Sequence, residues 1–391
     1  MQRRFHWGRD FRKCLTVEEL RALARRRLPA FAFEYLEGGA EDEVTLRRNR
    51  QAFERVVFVP KTLVDVSRRD LSVEVFGVRA PLPIAISPTG SNGLFRRRGD
   101  LALARAAAAA GIPFVQSTVS TLKLETIAAE AKPRHWMQLY MLKDRAVTES
   151  MVARAAAAGC EALVLTTDTV VFGNREWDRR HYAGADRLRA MSKLEILAHP
   201  RWMLDVLWPS GVPVFENLLE FLPGRKGNPL ETRAFLLEQM DASITFKEVA
   251  WLKGIWPRKL VVKGILDPDD ARRAADAGAD GVVVSNHGGR QLDGAVSTLE
   301  ALPGVAKAVG DHICVMIDGG FRRGTDVVKA VALGADLVLI GRATLYGLAA
   351  GGEEGARHAL SILREEIDRT VGLLGATSLG ECIGGVRPHA G

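Results

Sequence analysis

A closed parallel (β/α)8 barrel, with an N-terminal helical extension and one long insertion after its fourth strand, is the α/β fold that this sequence predicts. Three observations predict it: eight short apolar runs recur in series, Ala-rich helical stretches lie between them, and polar residues collect at the end of one run after another. The runs are Pro83–Ser87, Pro113–Ser117, Arg134–Tyr140, Ala162–Asp168, Lys259–Lys263, Gly281–Ser285, Ile313–Asp318 and Asp336–Ile340. Helical stretches such as Asp100–Ala110, Ala146–Ala157, Pro268–Ala277 and Thr325–Leu333 are mostly entered through Asp, Pro or Thr and left through Gly. The polar residues are Ser87, Ser117, Gln138, Tyr140, Thr166, Asp168, Lys263, Ser285, His287, Asp318, Gly341 and Arg342. A strand interior has no use for such groups, so they mark one large polar pocket at the carboxyl ends of the strands.

Before the barrel, Thr16 to Arg27 reads as a helix. Thr16 caps it, Glu18 and Glu19 lie in its first turn, and Leu15, Leu20, Leu23 and Leu28 form its apolar side. A second helix begins after Pro29, runs through Tyr35 and ends at a glycine pair, Gly38-Gly39. A barrel needs roughly 250 residues, so 391 residues suit one elaborated domain. Its parts are an extension (1–80), a barrel (81–350) with an insertion at about 169–258, and a C-terminal helix and tail (351–391). So long a connection is usually functional. It holds Trp202, Leu204, Leu207, Trp208, Phe215, Leu218, Leu219, Phe221 and Leu222, with Arg201, Arg225 and Lys226 beside them. Two readings are open: an anchor lying on a membrane surface, or a lid or subunit contact.

Composition narrows the class. Hydrophobic residues make up 47%, no apolar run nears the roughly 20 residues of a spanning helix, and the amino end lacks the apolar core of a signal peptide, so a cytoplasmic start is expected. Four dispersed cysteines without a CxxC pair suggest reduced thiols, no zinc site and no other metal site. The net charge of +7 comes from dispersed basic residues without a nucleic-acid motif, so an anionic cofactor, an acidic substrate or a lipid surface is the expected partner.

Chemistry concentrates in Val282-Val283-Val284-Ser285-Asn286-His287-Gly288-Gly289-Arg290-Gln291-Leu292-Asp293-Gly294, where a buried strand delivers a base and a guanidinium onto one loop. His titrates near neutrality, and Arg presents a planar fork to a carboxylate. Asp318-Gly319-Gly320-Phe321-Arg322-Arg323-Gly324 and Gly341-Arg342 are glycine turns with Arg, placed where barrels hold phosphate. No P-loop and no GxGxxG follows a strand, which argues against ATP and a Rossmann-bound nicotinamide. Lys263 faces the mouth, where a buried cation stabilises developing negative charge.

Ser285 to Asp293 resembles the signature of the FMN-dependent 2-hydroxy acid oxidases and dehydrogenases. The likeness extends over nearly the whole chain, through Tyr35–Ala40, Pro88-Thr89-Gly90, Gln138-Leu139-Tyr140, Val262-Lys263-Gly264 and Asp318–Arg322. Within that family the chain looks most like the membrane-associated (S)-mandelate dehydrogenases, with quinone-linked lactate dehydrogenases next. The resemblance implies FMN, its ring held by Pro88, Thr89, Gly90, Ser117, Gln138, Thr166, Lys263 and Ser285. Its phosphate would lie on Asp318, Gly319, Gly320, Arg322, Gly341 and Arg342. It also implies that Arg175, Arg290 and Tyr35 grip the substrate carboxylate, that His287 is the base with Asp168 as ionic partner, and that Tyr140 lies near the substrate hydroxyl. Removal of the hydroxyl proton or of the carbon proton first are both compatible with such a base. Quinone as acceptor, a homotetramer and a peripheral place on the inner face of the cell membrane are further implications. Gly90, Val119 and Phe172 suggest space for an aromatic substrate. Two other classes compete: a flavin-free barrel isomerase or lyase acting on a phosphorylated substrate, and a basic binding protein without catalysis.

Overall fold

Val282-Val283-Val284 and Leu337-Val338-Leu339-Ile340 are apolar at every position, and such runs are stable as strands only when both faces are covered. The structure, a computed structural model describing residues 6–183, 187–208, 211–222 and 227–388, covers both. Strands β1 (Ile84–Ile86), β2 (Pro113–Gln116), β3 (Arg134–Tyr140), β4 (Ala162–Thr166), β5 (Lys259–Ile265), β6 (Gly281–Val284), β7 (Cys314–Ile317) and β8 (Leu337–Ile340) pair in parallel and close a barrel. Strand β4 meets β5 in the register Val164↔Val261, and β8 meets β1 as Leu339↔Ala85. Alternate residues serve opposite faces: Val283 packs inside with Val115, Trp136, Val164, Val261, Met316 and Leu339, while Val282 and Val284 pack outward. A hairpin of Val73–Val75 and Val78–Ala80 brings Phe76 onto Trp136, with ring centres 5.5 Å apart.

The outer layer is α1 (Gly99–Ala110), α2 (Leu124–Ala131), α3 (Arg145–Ala157), α4 (Phe246–Ile255), α5 (Pro268–Asp276), α6 (Thr298–Val309), α7 (Gly324–Ala332) and α8 (Arg342–Leu373). Helix α8 breaks at Gly351 and Gly352, close to the boundary expected at 350. Helix α4, opened by a Thr245/Glu248 capping box, is an ordinary barrel helix, so the insertion proper ends near 245 rather than 258. The first extension helix is Val17–Arg27, with Thr16 accepting from the Glu19 N–H at 3.2 Å. Leu20, Leu23 and Leu28 are buried, but Leu15 is 78% exposed because it precedes the cap and does not share the helical period. The second is Ala30–Glu37 and the third Val44–Glu54.

The insertion differs most from expectation. Trp202 is buried, with its indole donating to Leu94 O at 2.8 Å, and Leu218 is fully buried. Leu207, Phe215, Leu219, Phe221 and Leu222 are half-buried, whereas Leu204 (67%) and Trp208 (71%) are exposed together with Met191, Leu194, Leu197 and Val212. Arg225 and Lys226 lie outside the described residues. Among the described residues, no helix is long and apolar enough to cross a membrane.

One buried group makes folding acid-sensitive. His135 on β3 meets Gln116 Oε1 at 2.9 Å, and because the Gln116 amide nitrogen donates to Ser120 and Leu122, the shared proton belongs to His135 Nε2. Nδ1 is buried without a partner. Burial pushes the ring's pKa down to about 4 from an ordinary 6.5. A depressed folded-state pKa contributes stability above pH 6.5 that is lost as pH falls toward 4, here about 3 kcal/mol in all. Urea midpoints measured between pH 7 and 4 should therefore fall more steeply for the native chain than for His135→Leu; parallel slopes would remove His135 as the cause.

Candidate active site

The loop after β6 owes its shape to three consecutive residues with positive φ: His287 (+56°), Gly288 (+64°) and Gly289 (+75°). His287 alone carries a side chain in that strained region, at a cost of about 1–3 kcal/mol. Gly289 has no room for a side chain, since a Cβ there would stand 2.6 Å from Leu46 N, and one on Gly288 would stand 2.8 Å from an Arg342 nitrogen, which would have to move. The turn folds the imidazole back onto the end of β4. His287 Nδ1 lies 2.8 Å from Asp168 Oδ1 and 3.2 Å from Thr169 Oγ1, and its backbone N–H donates to Ser285 Oγ at 3.0 Å. A carboxylate only accepts, so Nδ1 carries the proton and Nε2 holds the lone pair. Burial lowers the His287 pKa despite Asp168. Burial also works against the charge of Asp168, yet His287, Lys263 and Thr169 prevail and hold that carboxyl well below the usual range. The pair is a neutral imidazole beside an ionised carboxylate.

A cavity of about 1900 Å³ opens at the carboxyl ends of the strands. Sixteen of the anticipated residues line it: Tyr35, Pro88, Thr89, Gly90, Ser117, Tyr140, Arg175, Lys263, His287, Arg290, Asp318, Gly319, Gly320, Arg322, Gly341 and Arg342. Asp168, Gln138 and Ser285 stand one hydrogen bond behind that lining and Thr166 two. Gln138 accepts from Ser117 Oγ at 3.1 Å and donates to Thr166 Oγ1 at 3.0 Å, and Ser285 accepts from Lys263 Nζ at 2.9 Å. Lys263 also lies 3.1 Å from Asp318; burial opposes its charge, but Asp318 and Asp168 outweigh burial and raise its pKa. Burial pushes the Tyr140 hydroxyl up to about 12, so it is protonated.

Arg290 donates to Gly38 O at 2.6 Å with its guanidinium carbon 5.3 Å from the Tyr35 ring centre. Arg175 reaches across from the insertion, donating to Arg290 O at 3.2 Å and Gln291 Oε1 at 3.0 Å. Gln291, which the sequence reading overlooked although it adjoins Arg290, donates in turn to Asp168 O and Val171 O. It thereby ties Arg175 and the Arg290 loop to the segment that follows β4. Thr169 was overlooked as well, though it adjoins Asp168. The space that Gly90 was expected to leave for substrate belongs to Val119, since a Cβ there would lie 2.4 Å from Val119 Cγ2. Val119 lines the cavity together with Gly90 and Phe172.

A model of the FMN-dependent dehydrogenases matches residues 24–385. The chain belongs to the FMN-dependent dehydrogenase family. It is 47% identical over 366 residues to an (S)-mandelate dehydrogenase of Pseudomonas putida, covering 93% of this chain and 91% of that one. An L-lactate dehydrogenase of Alcaligenes faecalis is 40% identical over 363 residues, covering 93% and 96%. The crystal structure of a monotopic membrane protein, (S)-mandelate dehydrogenase, superposes with a TM-score of 0.92 at 44% identity, covering 96% and 100%. Family membership makes the chain a flavin-dependent oxidoreductase and removes the isomerase, lyase and non-catalytic readings. The residues present suit FMN on their own geometry. Gly319 (φ +98°) and Gly320 (φ +85°) line the same cavity as Arg322 and Arg342, a pairing of glycine backbone and guanidinium that suits a phosphate. Asp318 Oδ1 is buried without a donor, which a cofactor hydroxyl would supply. Lys263 brings a buried cation to the same cavity.

Proposed function

We propose that this dehydrogenase oxidises an (S)-2-hydroxy acid to the 2-oxo acid. The observation that carries the reading is the His287–Asp168 pair, its Nε2 left with a lone pair, lining the same cavity as Arg290 and Arg175. FMN, when bound, supplies a flat two-electron acceptor. Arg290 and Arg175 take the carboxylate, with Tyr35 contributing from under Arg290. That grip turns the C2 carbinol toward His287, where Nε2 accepts a proton as the carbinol loses two hydrogens. Asp168 stabilises the imidazolium so formed, and Tyr140 offers a protonated hydroxyl to the substrate oxygen. Lys263 places positive charge where Ser117, Pro88–Gly90 and the residues behind them would hold the ring. Arg322 and Arg342, with Gly319, Gly320 and Gly341, would hold the phosphate.

An aromatic substrate, mandelate or a ring-substituted relative, is favoured over lactate. Val119 and Phe172 give apolar surface, and the P. putida relative is a mandelate dehydrogenase. A yellow protein whose kcat/KM is higher for (S)-mandelate than for L-lactate is the expected result; the reverse order would make it a lactate dehydrogenase. We further infer a homotetramer that sits peripherally on the cytoplasmic face of the membrane and passes electrons to a quinone. The exposed Leu204 and Trp208, with Met191, Leu194 and Leu197, support the membrane contact, since large apolar side chains in one segment are costly to leave in water, and a structural relative is a monotopic membrane protein. Sedimentation of the native protein with membranes, and flavin reoxidation slower with oxygen than with a quinone, are the expected outcomes. An enzyme that stays in the supernatant and is reoxidised by oxygen at its turnover rate would be an oxidase with a lid.

A further inference from the structure

Arg322 reaches the cavity from the turn after β7, and its guanidinium is held by a phenol. Its NH1 donates to Phe321 O at 2.9 Å, its NH2 donates to the Tyr346 hydroxyl at 3.2 Å, and its central carbon lies 5.3 Å from the Tyr346 ring centre. Tyr346 stands on α8 one turn after Arg342 and is fully buried. Burial, against the pull of Arg322, pushes its pKa up to about 12, so the phenol keeps its proton. Glu37 Oε2 is 2.7 Å away, and the other oxygen of Glu37 accepts from Arg21 Nε at 2.8 Å. Burial disfavours the Glu37 charge, but Arg21 and the Tyr346 hydroxyl prevail and lower its pKa.

These states force one direction on the chain. An ionised carboxylate can only accept, so the phenol's proton goes to Glu37 and its oxygen is left facing Arg322. Arg322 therefore donates to Tyr346, Tyr346 donates to Glu37, and Arg21 closes the far end from the first extension helix. We propose that Tyr346, fixed by Glu37, is a positioning residue for the FMN phosphate. It sets the plane and roll of the Arg322 fork before the phosphate arrives, so less side-chain freedom is lost on binding. The inference rests on reading the Asp318–Arg322 and Gly341–Arg342 turns as the phosphate cradle. It assigns Tyr346, Glu37 and Arg21, none of which lines the cavity.

Riboflavin, which lacks the phosphate, separates positioning from general stability. The full chain, stripped of flavin, is titrated with FMN and with riboflavin by fluorescence quenching. Arg322→Met should weaken FMN by roughly 100-fold and Tyr346→Phe by about tenfold, each leaving riboflavin within about twofold. In the Arg322→Met background, Tyr346→Phe should add nothing, because its partner is gone. Equal loss of both flavins in Tyr346→Phe, no loss of FMN, or full additivity would overturn the proposal. An Arg322→Met protein that does not separate FMN from riboflavin would sink the cradle reading and this inference with it. Should Tyr346→Phe fail to fold, Arg322→Lys decides: a fork set by Tyr346 predicts a loss like that of Met, whereas retained FMN affinity would show that charge alone matters.

Discussion

Replacing His287 with Gln is expected to leave FMN bound and to lower kcat by about 10²–10⁴-fold, about 3–5 kcal/mol of barrier. The amide keeps roughly the length of the imidazole and can donate to Asp168, so the loop should persist while the lone pair at Nε2 is lost. Because burial lowers the His287 pKa, the neutral base persists below pH 6.5, and the acid limb of kcat/KM should lie on the acid side of an ordinary histidine. Asp168→Asn should move that limb further down, since Asp168 is what raises His287, and should lower the plateau by removing the counter-charge of the imidazolium. Rapid-reaction measurement of flavin reduction checks both. A His287→Gln enzyme reducing its flavin at the native rate would take His287 out of the mechanism.

Arg290→Met should cost about 10²–10³-fold in kcat/KM, the loss of a charge-assisted fork on a carboxylate. Lysine should recover little, because a point charge lacks the paired geometry. Arg290 also donates to Gly38 O and lies over Tyr35, so a structural loss has to be separated from lost recognition. A substrate amide does this: native and Arg290→Met enzymes should differ little with the neutral amide and greatly with the acid. Equal losses on both would assign Arg290 to the architecture of the loop rather than to the carboxylate. Arg175→Met should behave alike, with a further effect through Gln291.

The barrel was legible because most strands are bounded apolar runs with polar residues collecting at their ends; Arg134–Tyr140 was placed to the residue. The His287 loop was legible for a related reason, since two glycines after a base have little meaning unless the backbone turns left-handed there. Contacts between residues far apart in sequence were not legible. Trp202 looks like a surface anchor until Leu94 O appears beside its indole, and Tyr346 reads as a helix aromatic until Glu37 and Arg322 meet on it. Apolar content tells that an insertion must bury something, but not which of its faces.

The extension is stitched to the His287 loop. Asn49 and Asn286 exchange two amide hydrogen bonds of 2.8 Å, Asp293 accepts from Val44 N at 3.1 Å and Thr45 N at 2.7 Å, and Ala40 N donates to Gly289 O at 2.9 Å. These partners are about 240 residues apart, so during synthesis at about 5–20 residues per second the first helices wait roughly 12–50 s for their seats to be made. Helix Val44–Glu54 has no backbone cap until residue 293 has left the ribosome. The wall proposed to hold the substrate's carboxylate thus cannot be assembled until β6 and its loop have been made, and a nascent chain arrested before β6 would hold five strands with no functioning mouth.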